Sequence, residues 1–167
     1  SDKYRLNLEP DAITNTTKAI IAIAVKTSRE RYILPYENSE ESIPSAKLER
    51  LRELYERCVT TLPANLSGEQ YLNYAKLEEK YGLMQRALNI YERLCLASPS
   101  SKEKHNAYQL YIIVAARALG SVKTRPIFEA AIAALDDLEA SHICTKYATL
   151  ETQLGEIQRA RSLWVYG

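Results

Sequence analysis

The sequence predicts an all-α fold, a right-handed α-α superhelix (solenoid) of stacked helical hairpins, on the basis of three observations. Only 5 glycines and 6 prolines interrupt the 167 residues. Between them, apolar residues recur at intervals of three and four positions, which is the period of an amphipathic helix. An aromatic residue also returns after 36, 37 and 36 residues, at Tyr55, Tyr91, Phe128 and Trp164. Two-helix repeats of this length bury their apolar faces by stacking on their neighbours.

The first hairpin, at about residues 15–63, is the least regular of the four. Residues 19–34 can supply its first helix, with Asn15, Thr16 or Thr17 as the N-cap. The β-branched residues in this stretch would equally suit a strand, and only the repeat context favours the helix. Residues 35–45 are mostly polar and contain two prolines, which predicts a loop inserted between the two helices.

Three further hairpins are predicted at about residues 68–99, 102–136 and 139–167. In each, a first apolar stripe ends at Gly82, Gly120 or Gly155, and a second stripe follows the glycine. We therefore predict a single repeat array over residues 1–167. Because the chain starts with Ser-Asp-Lys and stops directly after an apolar stretch, we expect it to be a fragment of a longer protein.

The balance of charges does not indicate nucleic-acid binding. The 22 Lys and Arg against 21 Asp and Glu give a formal net charge of +1, so the chain as a whole has no strong attraction for phosphate groups. Five residues around the third unit are interpreted as a solvated helix face, with a local basic edge as the alternative: Lys102, Lys104, His105, Lys123 and Arg125. The longest apolar run, residues 19–25, is far shorter than the roughly 20 residues that cross a bilayer.

The sequence contains no recognisable set of catalytic or metal-binding residues. It has no nucleophile elbow, no glycine-rich phosphate loop and no carboxylate pair in an acid-base setting, so we predict a protein that is not an enzyme and has no cofactor. His105 and His142 lack a companion at metal-ligand spacing, and no metal site is expected. We interpret Cys58, Cys95 and Cys144 as core residues of a protein from a reducing compartment.

The second predicted unit carries a resemblance to a known repeat. Residues 71–78 read YLNYAKLE, Gly82 follows, residues 86–93 read RALNIYER, and Pro99 ends the unit. This pattern resembles the HAT (half-a-TPR) repeat of RNA-processing proteins, and the fourth unit is similar to it again. TPR repeats place a glycine inside the first helix, whereas here the glycine falls at the end of that helix. The pattern therefore fits HAT better than TPR.

Three further segments look most like the C-terminal region of the Syf-type pre-mRNA splicing factors, the XPA-binding-protein type. They are residues 74–83 (YAKLEEKYGL), 120–129 (GSVKTRPIFE) and 154–161 (LGEIQRAR). The resemblance implies a nuclear, non-catalytic protein–protein interaction scaffold of the spliceosome-associated Nineteen complex, with other spliceosomal proteins as partners. The third unit departs from the pattern, since Ala116 replaces the expected glutamate and Pro126 lies near the start of a helix.

The repeat register assigns roles to individual residues. Repeat packing is predicted for Tyr55, Tyr74, Tyr91, Phe128, Tyr147 and Trp164. Glu78 precedes Arg86 by the same eight residues that separate Glu151 from Arg159, so an ion pair is predicted in each of these hairpins, although unrelated surface charges would show the same spacing. Tyr32 and Tyr36, beside the predicted loop, are the candidates for contact with a partner.

Two alternative functions remain open on the sequence alone. A HAT scaffold of mRNA 3′-end cleavage and polyadenylation would have the same fold, and homodimerisation is characteristic of that group. A direct RNA-binding helical-repeat module would need a basic stripe that the net charge of +1 does not supply. The sequence does not specify the oligomeric state.

Overall fold

The computed structural model describes residues 44–166 and, before them, residues 19, 20, 23, 24 and 27. These five earlier positions have helical backbone, which agrees with the helix predicted there. The remainder of that helix with its N-cap, most of the predicted loop, and Tyr32 and Tyr36 lie outside the described residues.

Residues 44–166 form seven α-helices and one short 3-10 helix, and this part of the chain contains no strand. The helices are α1 (Ser45–Thr61), α2 (Ala64–Tyr81), α3 (Met84–Ala97), α4 (Ser101–Leu119), α5 (Arg125–Ala134), α6 (Asp137–Gln153) and α7 (Ile157–Tyr166), with the 3-10 helix at Ser121–Thr124. The predicted all-α class is therefore confirmed.

The chain divides into two compact units, Ser1–Leu66 and Ser67–Gly167. In the first unit, α1 begins after Pro44, whose carbonyl oxygen accepts hydrogen bonds from the N–H groups of Lys47 and Leu48. The buried side chains of α1 follow one helix face, at Leu48, Leu51, Tyr55, Cys58 and Val59. The helix ends at Thr61, two residues before Pro63.

The second unit starts within α2 and holds the later hairpins. The Arg93 guanidinium of α3 lies 5.5 Å from the centre of the Tyr71 ring of α2. Helix α3 packs against α4, which begins with a capping box. The Ser100 hydroxyl accepts from the Glu103 N–H, and the Glu103 carboxylate accepts from the Ser100 N–H, so two donors of the first turn are satisfied.

Two glycines with positive φ mark the turns inside the last two hairpins. Gly120 ends α4 with φ 90°, and Gly155 follows α6 with φ 81°, which are angles that residues with a side chain rarely adopt. Pro126 is the second residue of α5, in the first turn, where its missing N–H removes no intrahelical bond. Helix α5 packs against α4 and α6, and α7 packs against α6.

Candidate functional site

Five of the six residues predicted to pack inside the repeats are buried: Tyr55, Tyr74, Tyr91, Phe128 and Tyr147. The sixth, Trp164, departs from the prediction because 51% of its surface is exposed. Helix α7 packs mainly against α6, and no later helix among the described residues covers its other side. Within the described part of the chain, Trp164 is therefore a surface residue.

An aromatic stack joins α5 to α6. The rings of Phe128 and Tyr147 lie 4.8 Å apart between centres with only 6° between their planes. The Tyr147 hydroxyl donates to Oε1 of Glu129 over 3.3 Å, and Arg159 Nη2 lies 3.7 Å from the same oxygen. Burial, followed by the charge of Glu129, raises the pKa of Tyr147. A cleft of about 310 Å³ is lined by Glu129, Ile132, Tyr147, Arg159, Ser162 and Leu163.

A carboxylate links three helices in the same way earlier in the unit. Glu79 of α2 accepts a hydrogen bond from the Tyr91 hydroxyl of α3 on Oε1, at 2.6 Å, and one from Arg117 Nη2 of α4 on Oε2, at 2.9 Å. The pKa of Tyr91 is raised above its ordinary value. Burial is the larger cause, and the hydrogen bond to Glu79 is the second. Both acids therefore hold a tyrosine hydroxyl and an arginine of a neighbouring helix.

A contact made of two hydrogen bonds joins Arg125 of α5 to Glu151 of α6. Arg125 Nε donates to Oε1 at 2.7 Å and Nη2 donates to Oε2 at 2.8 Å, which is the two-bond geometry that a guanidinium forms with a carboxylate. Glu151 is completely buried, at 0% exposure. The hydrogen bonds to Glu151 raise the pKa of Arg125, which keeps the guanidinium charged. They fasten the start of α5 to the end of α6.

This contact corrects the predicted Glu151–Arg159 pair. Both oxygens of Glu151 are occupied by Arg125, and Arg159 is half exposed near Glu129 instead. Burying a carboxylate without a hydrogen-bond donor is costly, so Glu151 needs a donor at the contact between α5 and α6. Arg125 provides this donor, whereas Arg159 lies near Glu129. The predicted Glu78–Arg86 pair stays a prediction, with Glu78 completely buried and Arg86 exposed.

The two histidines that sequence spacing left isolated lie close together. Their ring centres are 5.9 Å apart, and His105 Nδ1 is 3.0 Å from Oε2 of Glu139. His142 Nδ1 is 3.9 Å from the same oxygen. We refer to His105, Glu139 and His142 as the histidine cluster. The expectation that each histidine stands alone is wrong, because α4 and α6 are in contact and residues about one repeat apart meet there.

The residues of the alternative basic edge do not share one environment. His105 is buried, and the Arg125 charge is held by Glu151, which leaves Lys102 and Lys123 as exposed cations of the set. The different surroundings of these residues support their interpretation as part of a solvated helix surface and not as one phosphate-binding edge.

All three cysteines are buried and free of disulfide bonds, which confirms their interpretation as core residues. Burial raises the pKa of each thiol, and it raises that of Cys95 to about 12. Thiols with such pKa values stay protonated and are poor nucleophiles at neutral pH.

The outer surface of the second unit carries apolar side chains as well as charges. Leu110 and Ile113, three residues apart on α4, are both exposed, as is Leu138 at the start of α6. In the part of the chain that the structure describes, none of the helices has the length and hydrophobicity of a membrane-spanning segment.

Successive helices that are joined by short turns and carry aromatic rings at repeat spacing define a helical-repeat protein. Polar contacts such as that of Arg125 with Glu151 join neighbouring helices. Residues 36–167 match the family described as the pre-mRNA-splicing factor Syf1/CRNKL1 C-terminal HAT repeat. The chain belongs to this family.

Similar proteins with curated names come from distant organisms. The chain is 42% identical over 121 residues to the pre-mRNA-splicing factor SYF1 of Mycosarcoma maydis, an alignment that covers 72% of the chain and 11% of the relative. It is 39% identical over 126 residues to the syf1 homolog of Drosophila melanogaster (75% of the chain, 14% of the relative). It is 38% identical over 120 residues to SYF1 of Homo sapiens (72% and 14%). The chain therefore matches only a small part of each relative's length.

Proposed function

We propose that this chain is part of a non-catalytic protein–protein interaction scaffold that acts in pre-mRNA splicing in the nucleus. The match of residues 36–167 to the Syf1/CRNKL1 C-terminal family is the observation that carries the proposal. The names of the relatives support the splicing role. The resemblance of three segments to Syf-type factors supports the proposal that this scaffold is part of the Nineteen complex and that its partners are other spliceosomal proteins.

The surface chemistry of the second unit supports a binding role without catalysis. Partner proteins bind helical repeats through grooves and exposed helix faces, where apolar anchors supply most of the affinity. Leu110 and Ile113 offer such anchors on α4, and the cleft beside Tyr147 offers a concave surface bordered by Glu129 and Arg159. Neither place combines a nucleophile with a base to activate it.

Affinity purification of the longer protein that contains this chain, from nuclear extract, tests the proposal. Splicing proteins identified by mass spectrometry are the expected result, and recovery should fall when Ile113→Asp and Leu110→Asp are combined. Asn106→Asp, an exposed change on the same helix, is the matched control and should leave recovery unchanged.

Other outcomes would contradict the splicing assignment in distinct ways. Recovery of 3′-end cleavage factors, together with a homodimer in sedimentation, would favour the polyadenylation scaffold. Salt-sensitive binding of RNA by the purified chain would favour a direct RNA-binding module.

A further inference from the structure

We propose that the histidine cluster is a binding site for a divalent transition metal, with Zn²⁺ as the best fit, that links α4 to α6. This goes beyond the scaffold function and does not depend on it. His105 lies on α4, while Glu139 and His142 lie three residues apart on the same side of α6. A metal held by all three would join the first helices of two neighbouring hairpins.

The distances are close to those of a metal site. One ligand atom from each residue lies within 4.8 Å of the others, and the two contacts to Oε2 of Glu139 measure 3.0 and 3.9 Å. Ligands of a tetrahedral Zn²⁺ at its usual bond lengths are roughly 3.3 Å apart. The three ligand atoms would therefore have to move closer together to bind the ion. Most of this movement falls to His142, because its side chain is 61% exposed and can change rotamer at little cost.

The donor set favours zinc over the hard cations. Two imidazole nitrogens and one carboxylate suit Zn²⁺ and related ions, whereas Mg²⁺ and Ca²⁺ prefer oxygen ligands throughout. Three protein ligands leave a fourth position for water or for a side chain of a bound partner. The site is therefore open on one side.

A neighbouring side chain orients the inner ligand. Nε2 of His105 contacts the side-chain amide of Gln109, one turn along α4, which leaves Nδ1 facing Glu139. In the absence of a metal, Nδ1–H donates to the Glu139 carboxylate. With a metal on Nδ1, the ring proton would lie on Nε2, and the side-chain oxygen of Gln109 would accept a hydrogen bond from Nε2–H once the amide had turned over. This second contact fixes the ring in both states.

The burial of the three residues provides a sheltered pocket with an entrance. The side chains of His105 and Glu139 are 8% and 17% exposed, so water is largely excluded from their side of the site. His142 borders solvent, and an ion can enter past it.

Calorimetric titration of Zn²⁺ into the tag-free chain tests this proposal. We expect one ion per chain and a Tm that rises with Zn²⁺ and returns to its starting value with a chelator. His142→Ala and Glu139→Gln should each weaken binding at least about tenfold. His142 is exposed, so its removal leaves the fold intact. Lys146→Ala, one turn further along α6, and Glu53→Gln are the matched controls and should bind as the parent does.

Spectra of the Co²⁺-loaded chain identify the ligands. Visible bands of a four- or five-coordinate ion without thiolate charge transfer are expected, and they should be lost in His142→Ala. Unchanged Zn²⁺ binding in His142→Ala and Glu139→Gln would overturn the site. Thiolate bands that disappear on replacing a cysteine would do so as well, as would equally tight binding of Mg²⁺.

Discussion

Arg125 donates two hydrogen bonds to Glu151, a carboxylate with no exposed surface. Arg125 lies at the start of α5, in the third hairpin, and Glu151 lies near the end of α6, the first helix of the fourth hairpin. The pair therefore joins two neighbouring hairpins. Removing the guanidinium leaves a charge without its donors in the interior, which is far more costly than losing an exposed pair.

Arg125→Met should therefore lower the Tm of the chain by several degrees. Arg159→Met, which breaks only the 3.7 Å contact with Glu129, is the matched control and should change the Tm by no more than about a degree. Thermal unfolding followed by circular dichroism measures both. Equal shifts in the two variants would show that the Arg125 contact adds no stability beyond that of a surface pair.

The hydroxyl of Tyr91 should matter more than that of a comparable buried tyrosine. Tyr91→Phe removes the 2.6 Å bond to Glu79, and hydrogen bonds to charged groups contribute roughly 1.5–3 kcal/mol. Since Arg117 still holds the carboxylate, we expect a loss of about 1 to 2 kcal/mol in urea unfolding. Tyr108→Phe is the control, because that hydroxyl makes no hydrogen bond to the described residues. A similar loss in both variants would contradict the bridging role of Glu79.

The stability of the chain should fall in alkali. Burial raises the pKa of Cys95 from 9.0 to about 12, and it also raises those of Tyr91 and Tyr108. In the unfolded chain the Cys95 thiol ionises near its ordinary pKa of 9.0, whereas in the folded chain it stays protonated up to a higher pH. Its contribution to the free energy of unfolding is therefore fully present below pH 9 and is lost as the pH rises towards 12. Each group contributes at most about 1.4 kcal/mol per pH unit.

Urea midpoints at pH 8, 9 and 10 measure this loss. Cys95→Ala should flatten the dependence, whereas Ser98→Ala, a buried change without a titrating group, should leave the slope as it is. A slope that is the same in all three chains would show that the Cys95 thiol does not contribute.

The sequence was sufficient for the features that depend on local pattern. Helical periodicity and the glycines at 120 and 155 are features within one hairpin, and the spacing of the aromatic residues reflects the length of one repeat. Tyr91 and Tyr147 are buried as the register predicts, because each lies on the apolar stripe of its own helix.

Contacts between hairpins could not be predicted from local sequence pattern. Arg125 and Glu151 are 26 residues apart, and a fixed spacing across Gly155 pointed to Arg159 instead. The histidine cluster was missed for the same reason, since His105 and His142 meet only through the packing of α4 on α6. A search for polar residues about one repeat apart would have found them. Trp164 shows the reverse error, since its register position predicts burial but no described helix covers it.

Two glycines of this chain should respond to alanine in opposite directions. Gly155 has φ 81°, and the Gly155 N–H and the next N–H bond to carbonyls of the last turn of α6, at Thr152 and Glu151. An alanine there must adopt a left-handed conformation, which costs about 1–2 kcal/mol. Gly68 lies inside α2, where an added methyl group would meet no atom within 4 Å.

Gly155→Ala is therefore expected to destabilise the chain by about 1 kcal/mol or more, while Gly68→Ala should stabilise it by about 0.5–1 kcal/mol through helix propensity. Chemical denaturation of the two variants beside the parent chain gives both values. Each glycine is the control for the other, because the same methyl group is added. A loss of stability at Gly68 would mean that the space around α2 is filled, and no loss at Gly155 would mean that the turn after α6 tolerates a different backbone.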